Sequence, residues 1–273
     1  MAEKETKNKP KDMIEATPEE SEEIEKVIEE DIVKKLSREE ALKQKEKSRE
    51  ARQREESLEH WIPRTELGRA VKAGKEKDFD KILKQGRKIL EPEIADTLLK
   101  LESDMLSIGQ AKGKFGGGKR RAWRQTQKKT QEGNILTFSS MAVVGDKNGH
   151  IGLGYGKAKE TLPTREKALR QAKLNIIKIE RGFESPEDSS TDPHTVPFTL
   201  EGKCGSCRLK LLPAPRGTGL VIGDQCKKIL SLAGIKDVYS KTIGNTRTTF
   251  NVAKACIDAL SKTTTFKRAE AKR

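Results

Sequence analysis

Residues 135–160 read ILTFSSMAVVGDKNGHIGLGYGKAKE, and this stretch decides the fold. Residues 135–138 and 141–144 are strand-like, because they are rich in β-branched and other apolar side chains. Residues 146–149 (DKNG) are typical of a turn, since Asn-Gly tolerates the positive φ angles that tight turns require. Residues 150–156 then alternate apolar and small side chains, which is the period of a strand. The sequence therefore predicts a β-hairpin.

A helix is predicted directly after the hairpin. Pro163 suits its first turn, where a missing backbone N–H costs nothing. The predicted order is strand, turn, strand, helix. The expected buried side of the helix consists of Ala168, Leu169, Ala172, Leu174, Ile176 and Ile177.

A basic, glycine-rich segment precedes the hairpin. Residues 113–133 read GKFGGGKRRAWRQTQKKTQEG and carry no acidic side chain before Glu132. Three successive glycines favour a loop without a fixed backbone. Such a loop suits contact with nucleic-acid phosphates, with Trp123 stacking on a base. The alternative is a solvated loop with Trp123 folded back on the protein. The cations are Lys119, Arg120, Arg121, Arg124, Lys128 and Lys129.

The positive charge is unevenly distributed. The chain has 273 residues and a net charge of +14, with 36% charged and only 4% aromatic residues. Residues 1–57 carry 14 basic and 18 acidic side chains, a net of −4, whereas the rest carries 42 basic and 24 acidic ones, a net of +18. So basic a region needs a polyanionic partner to offset its self-repulsion. Nucleic acid is the partner that this charge favours.

Two classes of protein are disfavoured by the sequence. No apolar run approaches the ~20 residues that a membrane-spanning helix needs, and residues 1–12 lack the apolar region of a secretory signal. Four cysteines without paired spacing along the chain do not indicate a disulfide framework. We therefore expect a protein of the reducing cytoplasm.

Other segments are predicted from periodicity and capping signals. Residues 1–60 are expected to be a charged arm, helical or disordered, with capping signals at Thr17 and Ser37. Residues 61–101 suggest short helices, one of them beginning at Pro92. Residues 183–194 (FESPEDSSTDPH) are typical of a linker. Beyond it, strands are predicted around 196–200, 207–212 and 238–239, and a turn at 202–205. Two helices follow the Pro/Gly loop 213–219, the first ending at Gly234, and the tail 263–273 is expected to be loose.

Three sequence patterns give only weak evidence for a chemical site. A phosphate-binding loop ending at Gly156-Lys157 would need glycine at Ile151 and a hydroxyl residue at Ala158. Cys204 and Cys207 have redox spacing but lie in a predicted hairpin turn rather than at a helix start, and no second ligand pair supports zinc. The three histidines form no recognisable site. We expect no cofactor, no metal and no turnover of nucleotide.

Several blocks together resemble one family. VVGDKNGHIGLGYGKAKE (143–160), ALRQAKLNIIKI (168–179), TVPFTLEGKCGSCRLKLLPAPRGTGLVIGD (195–224) and LAGIKDVYSKTIGNTRTTFNVAKA (232–255) resemble ribosomal protein S-five, in the expected order. The similarity runs from about Trp61 to Leu260. WIPRTELGRAVK and LEPEIADTLL resemble the archaeal and eukaryotic branch.

The resemblance implies an α+β protein with two domains. The N-terminal domain would resemble a double-stranded-RNA-binding domain, and the C-terminal one would be a β-α-β arrangement with a left-handed crossover. The implied partners are small-subunit ribosomal RNA, the S-four and S-three proteins, and messenger RNA at its entry channel. Residues expected to contact RNA are Lys119, Arg120, Arg121, Trp123, Arg124, Gly152, Gly154, Gly156, Lys157 and Lys159. Residues expected to face the S-four neighbour are Pro215, Arg216, Gly217, Thr218, Gly219 and Lys227.

The predicted organisation has five parts. They are a charged arm (1–60), an RNA-binding α+β domain (61–182) that includes the basic loop 113–133, a linker (183–194), a C-terminal S-five-type domain (195–262) and a basic tail (263–273). The predicted function is that of a structural constituent of the small ribosomal subunit, which assists assembly and decoding accuracy. The alternatives are an RNA-binding module acting off the ribosome and a phosphotransferase. PAPRGTGLV lacks the serine pair that such a kinase loop would carry.

Overall fold

A computed structural model describes residues 58, 60–110, 120–184 and 192–270, with side chains as far as 264. The described residues from Trp61 onward form one compact unit. The predicted arm 1–60 lies outside the described residues, apart from two isolated positions. No helix in the described part of the chain is long and apolar enough to cross a membrane.

Three short helices open the compact unit, as the sequence predicted. They are α1 (Glu66–Lys72), α2 (Phe79–Lys84) and α3 (Pro92–Leu98). The hydroxyl of Thr65 caps α1 by accepting a hydrogen bond from the N–H of Gly68 at 3.0 Å, and proline starts α3. Each helix buries apolar residues in a core formed with Ala172 and Ile176.

The first sheet contains five strands. They are β1 (Glu102–Met105), β2 (Trp123–Thr130), β3 (Gly133–Gly145), β4 (His150–Ala158) and β5 (Ile176–Lys178). The order is β1-β3-β4-β5, and β2 pairs with the other end of β3. Antiparallel pairing of β3 with β4 confirms the predicted hairpin and its turn at 146–149.

The loop predicted over 113–133 is wrong for its second half. Residues 123–130 form β2, which pairs with β3 from Trp123–Ser140 to Thr130–Gly133. Most side chains of this two-stranded part are exposed on both faces. Because neither face is buried, β2 needs no alternation of apolar residues, and that alternation is the signal by which strands are recognised. Residues 111–119, including Lys119, lie outside the described part of the chain.

Helix α4 (Thr161–Leu174) packs across one face of this sheet. It begins two residues before the predicted Pro163, and its own residues Ala168 and Ala172, which face the sheet, are completely buried. The helix ends at Leu174, so Ile176 and Ile177, which were predicted on its buried side, belong to β5 instead. The order strand, turn, strand, helix is confirmed.

The second sheet has four strands, β6 (Leu200–Cys204), β7 (Cys207–Pro213), β8 (Leu220–Val221) and β9 (Val238–Ile243), in the order β6-β7-β9-β8. The predicted turn at 202–205 is shifted, since Gly202 lies within β6 and the turn is Gly205-Ser206. Helix α5 (Asp224–Ala233) connects the parallel strands β8 and β9. It ends at Gly234, as predicted, with a left-handed φ of 83°.

Helix α6 (Thr249–Glu270) continues through most of the predicted loose tail 263–273, so that prediction is wrong there. Thr263 is buried, and its hydroxyl donates to the carbonyl of Leu260 at 2.8 Å. The N–H of Glu180 donates to the same hydroxyl at 3.2 Å, and the hydroxyl of Thr264 donates to the carbonyl of Lys178 at 2.5 Å, so the start of the predicted tail packs against the chain at the end of β5.

One hydrophobic core joins the two sheets. Met141 and Ile151 from the first sheet belong to the same buried cluster as Leu209 and Leu211 from the second, together with Leu230 of α5. The turn between β3 and β4 also docks against α5, where the N–H of Lys147 donates to the carbonyl of Leu232 at 2.9 Å. The two sheets therefore pack as one body within residues 61–270.

Candidate nucleic-acid interface

Three cations share one exposed face of the first sheet. Arg124 pairs with Ser139, which pairs with Lys157 on the next strand. Lys128 lies four residues beyond Arg124 on β2, hence on the same face. Lys129 lies on the opposite face of the strand. None of these four cations forms a salt bridge with any described carboxylate. The β2–β3 ribbon, residues 123–140, thus presents unneutralised positive charge to solvent.

Trp123 lies on the α4 side of the sheet, away from Arg124. Its ring is half-buried, and the guanidinium carbon of Arg165 lies 5.5 Å from the ring centroid. This arrangement is a cation–π contact between β2 and α4. Sequence reasoning left open whether Trp123 stacks on RNA or on the protein, and Arg165 covers it here. Arg165 carried no signal in the sequence that could link it to Trp123.

The glycines of β4 do not offer a bare backbone to RNA, contrary to the sequence-based interpretation. Gly152, Gly154 and Gly156 are buried under α4. A Cβ at each would lie 2.0–2.2 Å from a backbone carbonyl oxygen of that helix. Glycine is therefore required for close packing of α4 on β4, and an RNA contact through these three residues is ruled out on this face.

The other predicted RNA contacts are spread along the surface. Arg120 and Arg121 are exposed just before β2, and the carbonyl of Arg121 accepts a hydrogen bond from the N–H of Gly109 at 2.9 Å. Lys157 and Lys159 are exposed at the end of β4. The structure brings Lys157 next to the ribbon by strand pairing, whereas Arg120 lines a separate cavity.

The residues predicted to face a protein neighbour form an exposed turn before β8. The hydroxyl of Thr218 donates to the carbonyl of Pro215 at 2.8 Å, and Gly217 and Gly219 have positive φ angles of 87° and 74°. Asp237 accepts a hydrogen bond from the N–H of Gly219 at 2.8 Å. Arg216, within this turn, and Lys227, on α5, are exposed.

His150 forms a charged cluster that sequence reasoning missed. Its Nδ1 lies 2.6 Å from Oδ2 of Asp146, and its Nε2 lies 2.8 Å from Oδ1 of Asp80. Lys178 forms an ion pair with the other oxygen of Asp80. Burial alone would lower the pKa of His150, but the hydrogen bonds to both carboxylates outweigh it and raise that pKa. The cluster links α2 to the β3–β4 hairpin, and this position indicates a structural role.

A cavity of about 860 Å³ lies between α5, α6 and β9. Arg120, Ser107, Gln225 and Thr249 are among the residues that line it. No group of three or more His, Cys, Asp or Glu side chains among the described residues could hold a metal ion.

Comparisons with known proteins agree with the fold. The family model described as ribosomal protein S5, N-terminal domain, matches residues 122–180, and the one described as ribosomal protein S5, C-terminal domain, matches residues 202–273. A protein of Nanoarchaeum equitans named small ribosomal subunit protein uS5 is 47% identical over 207 residues, which cover 76% of this chain and 89% of the relative. The chain belongs to the ribosomal protein S5 family. A uS5 protein of Hyperthermus butylicus is 45% identical over 210 residues, covering 76% of this chain and 92% of that protein.

Membership of the S5 family bears on three sequence predictions. The resemblance to this family is confirmed, and both relatives are archaeal, in agreement with the predicted branch. Members are structural proteins of the ribosome, so the prediction that the chain is not an enzyme is also confirmed. The same finding argues against the phosphotransferase alternative.

Proposed function

We propose that the chain is a structural constituent of the small ribosomal subunit and binds ribosomal RNA through the β2–β3 ribbon and the adjoining end of β4. The observation that carries this proposal is the row of cations Arg124, Lys128 and Lys157 on one exposed face, where none of them forms a salt bridge with a carboxylate of the described residues. Cations without protein partners can neutralise phosphates and release bound counterions. A surface of this kind is expected to bind a nucleic-acid backbone.

Finer features of the family extend the proposal. The turn Pro215–Gly219 and Lys227 would face an S-four-type neighbour, with an S-three-type protein and the messenger RNA entry channel nearby. Residues 61–182 would form a double-stranded-RNA-binding-like domain, which the packing of α4 on one face of a β-sheet supports. Residues 195–262 would form the second domain, and the parallel β8–α5–β9 unit would have the left-handed crossover. The proposed location is the cytoplasm.

Sedimentation tests the ribosomal role. The native protein should migrate with small subunits on a sucrose gradient and remain there at moderate salt, because many contacts hold an integral ribosomal protein. Its release into the free fraction at low salt would instead favour a module that acts off the ribosome.

The salt dependence of binding tests the ribbon. Replacing Arg124, Lys128 and Lys157 by alanine should weaken binding to small-subunit ribosomal RNA and reduce the log–log salt slope by up to ~2–3, at ~0.7–0.9 for each phosphate that is no longer neutralised. A charge-matched control replaces Lys84, Lys88 and Lys100, which are exposed and lie outside the β2–β3 ribbon. Equal slopes for wild type and the ribbon variant would show that the ribbon is solvated and that RNA binds elsewhere.

A further inference from the structure

The second sheet has one buried face and one exposed face. Leu209 and Leu211 of β7 are buried in the core, together with residues of α5 and α6. Successive side chains of a strand point to opposite faces, so Arg208, Lys210 and Leu212 lie on the other side of the sheet. Arg208 and Leu212 are exposed there. We call this side of strands β6–β9 the outer face.

One row of the outer face is apolar. Strand pairing places Val221 beside Tyr239 and Tyr239 beside Leu212, so the row crosses three strands. The three residues are 49%, 41% and 36% exposed, in that order. The ring of Tyr239 makes no aromatic or cation–π contact with a described residue. Large apolar side chains that are exposed next to one another mark a surface for contact with another molecule.

The two rows beside the apolar one carry cations. Lys241 pairs with Lys210 in the first row, and Arg208 pairs with Lys203 in the second. Lys203, Arg208 and Lys241 form no salt bridge with a carboxylate of the described residues. Within strands β6–β9 the outer face has one acidic side chain, Glu201, which pairs with Lys210. Four cations against one carboxylate leave a net charge of +3, so a polyanion is the complementary partner.

An exposed aromatic ring beside a cluster of cations suits single-stranded RNA. Unpaired bases stack on aromatic side chains, while lysine and arginine neutralise the phosphates. Lys241 lies two residues from Tyr239 on β9, about 6.5–7 Å along the strand, and neighbouring strands are about 4.8 Å apart. The cations are therefore within reach of the phosphates that flank a base stacked on Tyr239. A duplex keeps its bases stacked on one another and cannot use this ring.

We propose that the outer face binds a single-stranded segment of small-subunit ribosomal RNA, with one base stacked on Tyr239 and phosphates bound by Lys203, Arg208 and Lys241. This surface belongs to the second sheet and is distinct from the β2–β3 ribbon of the first sheet. The ribosomal source of the RNA rests on the proposed function. The preference for single strands rests on the outer face alone.

Binding of a fluorescent uridine dodecamer tests the stacking contact. The protein is the full chain in which Arg124, Lys128 and Lys157 are already replaced by alanine, so that the ribbon does not contribute. In this parent, Tyr239→Ala should weaken binding by about tenfold or more, the effect of losing one stacked base. Tyr239→Phe should bind as the parent does, because it keeps the ring. Leu90→Ala removes another exposed apolar side chain and should also leave binding unchanged.

The salt dependence of binding tests the cations separately from the ring. Replacing Lys203, Arg208 and Lys241 by alanine should reduce the log–log salt slope for the dodecamer by about 2, at ~0.7 for each phosphate of a single strand. Tyr239→Ala should lower the affinity and leave the slope unchanged, since stacking releases no counterions. A charge-matched control that replaces Lys84, Lys88 and Lys100 should keep both the affinity and the slope of the parent.

Competition identifies the occupant of the outer face. Small-subunit ribosomal RNA should displace the dodecamer from the parent, whereas a 12-base-pair RNA duplex should not. Equal displacement by the duplex, or no displacement by ribosomal RNA, would overturn the proposal. Displacement by polyglutamate at equal charge would indicate an acidic protein as the partner, and the proposal would again be wrong.

Two further outcomes separate this proposal from the role of the ribbon. If Tyr239→Ala binds the dodecamer as tightly as the parent does, or if the parent does not bind it at all, the outer face is not an RNA surface, and the proposed function of the ribbon still stands. If the ribbon variant instead keeps the salt slope of the wild type for ribosomal RNA while Tyr239→Ala weakens dodecamer binding, the ribbon assignment fails and the outer face is supported.

Discussion

At the scale of single residues, the glycines of β4 reverse their expected role. Small residues alternating along a strand have two physical explanations, an external ligand that approaches the backbone or an element of the same chain that packs against it. The sequence alone does not distinguish them. It predicts a helix after the strand, but it does not show that this helix packs on the glycine face of the strand. The position of α4 decides in favour of packing at Gly152, Gly154 and Gly156.

Gly154→Ala should destabilise the fold. The added Cβ would lie 2.0 Å from the carbonyl oxygen of Ala168 and 2.2 Å from the amide nitrogen of Ala172, so α4 must move away. We expect a loss of about 3 kcal/mol in the free energy of unfolding and a fall in Tm of roughly 6–12 °C. Calorimetry and denaturant titration measure both quantities.

Gly223→Ala provides the matched control. Nothing lies within 4 Å of its added Cβ, and φ is −62°. Its cost should be at most about 1 kcal/mol, from the weaker N-cap. If the two variants were equally stable, close packing would not be the reason for glycine in β4.

At the scale of elements, the docking of α2 on the hairpin depends on ionisation. Hydrogen bonds from Lys178 and His150 outweigh burial and lower the pKa of Asp80, and hydrogen bonds from His150 and the N–H of Asn148 do the same for the pKa of Asp146. These carboxylates contribute stability fully above their ordinary pKa of 3.8, and the contribution is lost as pH falls through their lowered folded pKa. His150, with its raised pKa, contributes fully below 6.5, and this contribution is lost as pH rises through its folded pKa.

The stability difference between wild type and His150→Asn should therefore be largest between about pH 4 and 6.5 and should shrink at higher pH. Denaturant unfolding across this range measures it. His60→Asn replaces an exposed histidine and serves as a control that should leave the free energy of unfolding nearly unchanged. A pH-independent difference for His150→Asn would mean that the ring acts by packing alone, through its edge contact with Phe79.

Elements with a buried face were predictable from the sequence, and exposed ones were not. The hairpin, the helix after it and α5 all carry apolar residues at the period of their structure. Strand β2 lacks that pattern because its pairing with β3 relies on backbone hydrogen bonds and on pairs such as Thr126 and Thr137, whose hydroxyls lie 2.7 Å apart. The candidate site was predictable to a similar extent. The composition of the sequence identified the cations of the ribbon, but only the register of the paired strands shows that three of them lie on one face.

At the scale of the whole molecule, the shared core changes what cleavage of the linker should do. Residues 183–194 connect the two sheets. In the free protein we still expect proteases to cleave within this segment. Because Met141 and Ile151 lie in one buried cluster with Leu209 and Leu230, the two pieces should stay associated after cleavage. Native gel filtration should show one peak that resolves into two bands under denaturing conditions. Separation into two independent peaks would mean that the core shared by the sheets is weak.

Because a single core joins the two sheets, synthesis has a vulnerable interval. Ile151 is made long before Leu260, although both belong to the same buried cluster. At about 5–20 residues per second, roughly 5–20 s separate them. Throughout this time the first sheet exposes the apolar face that the later helices cover. The nascent chain is thus most prone to aggregation midway through its synthesis, and slow translation of residues 183–260 would prolong that risk.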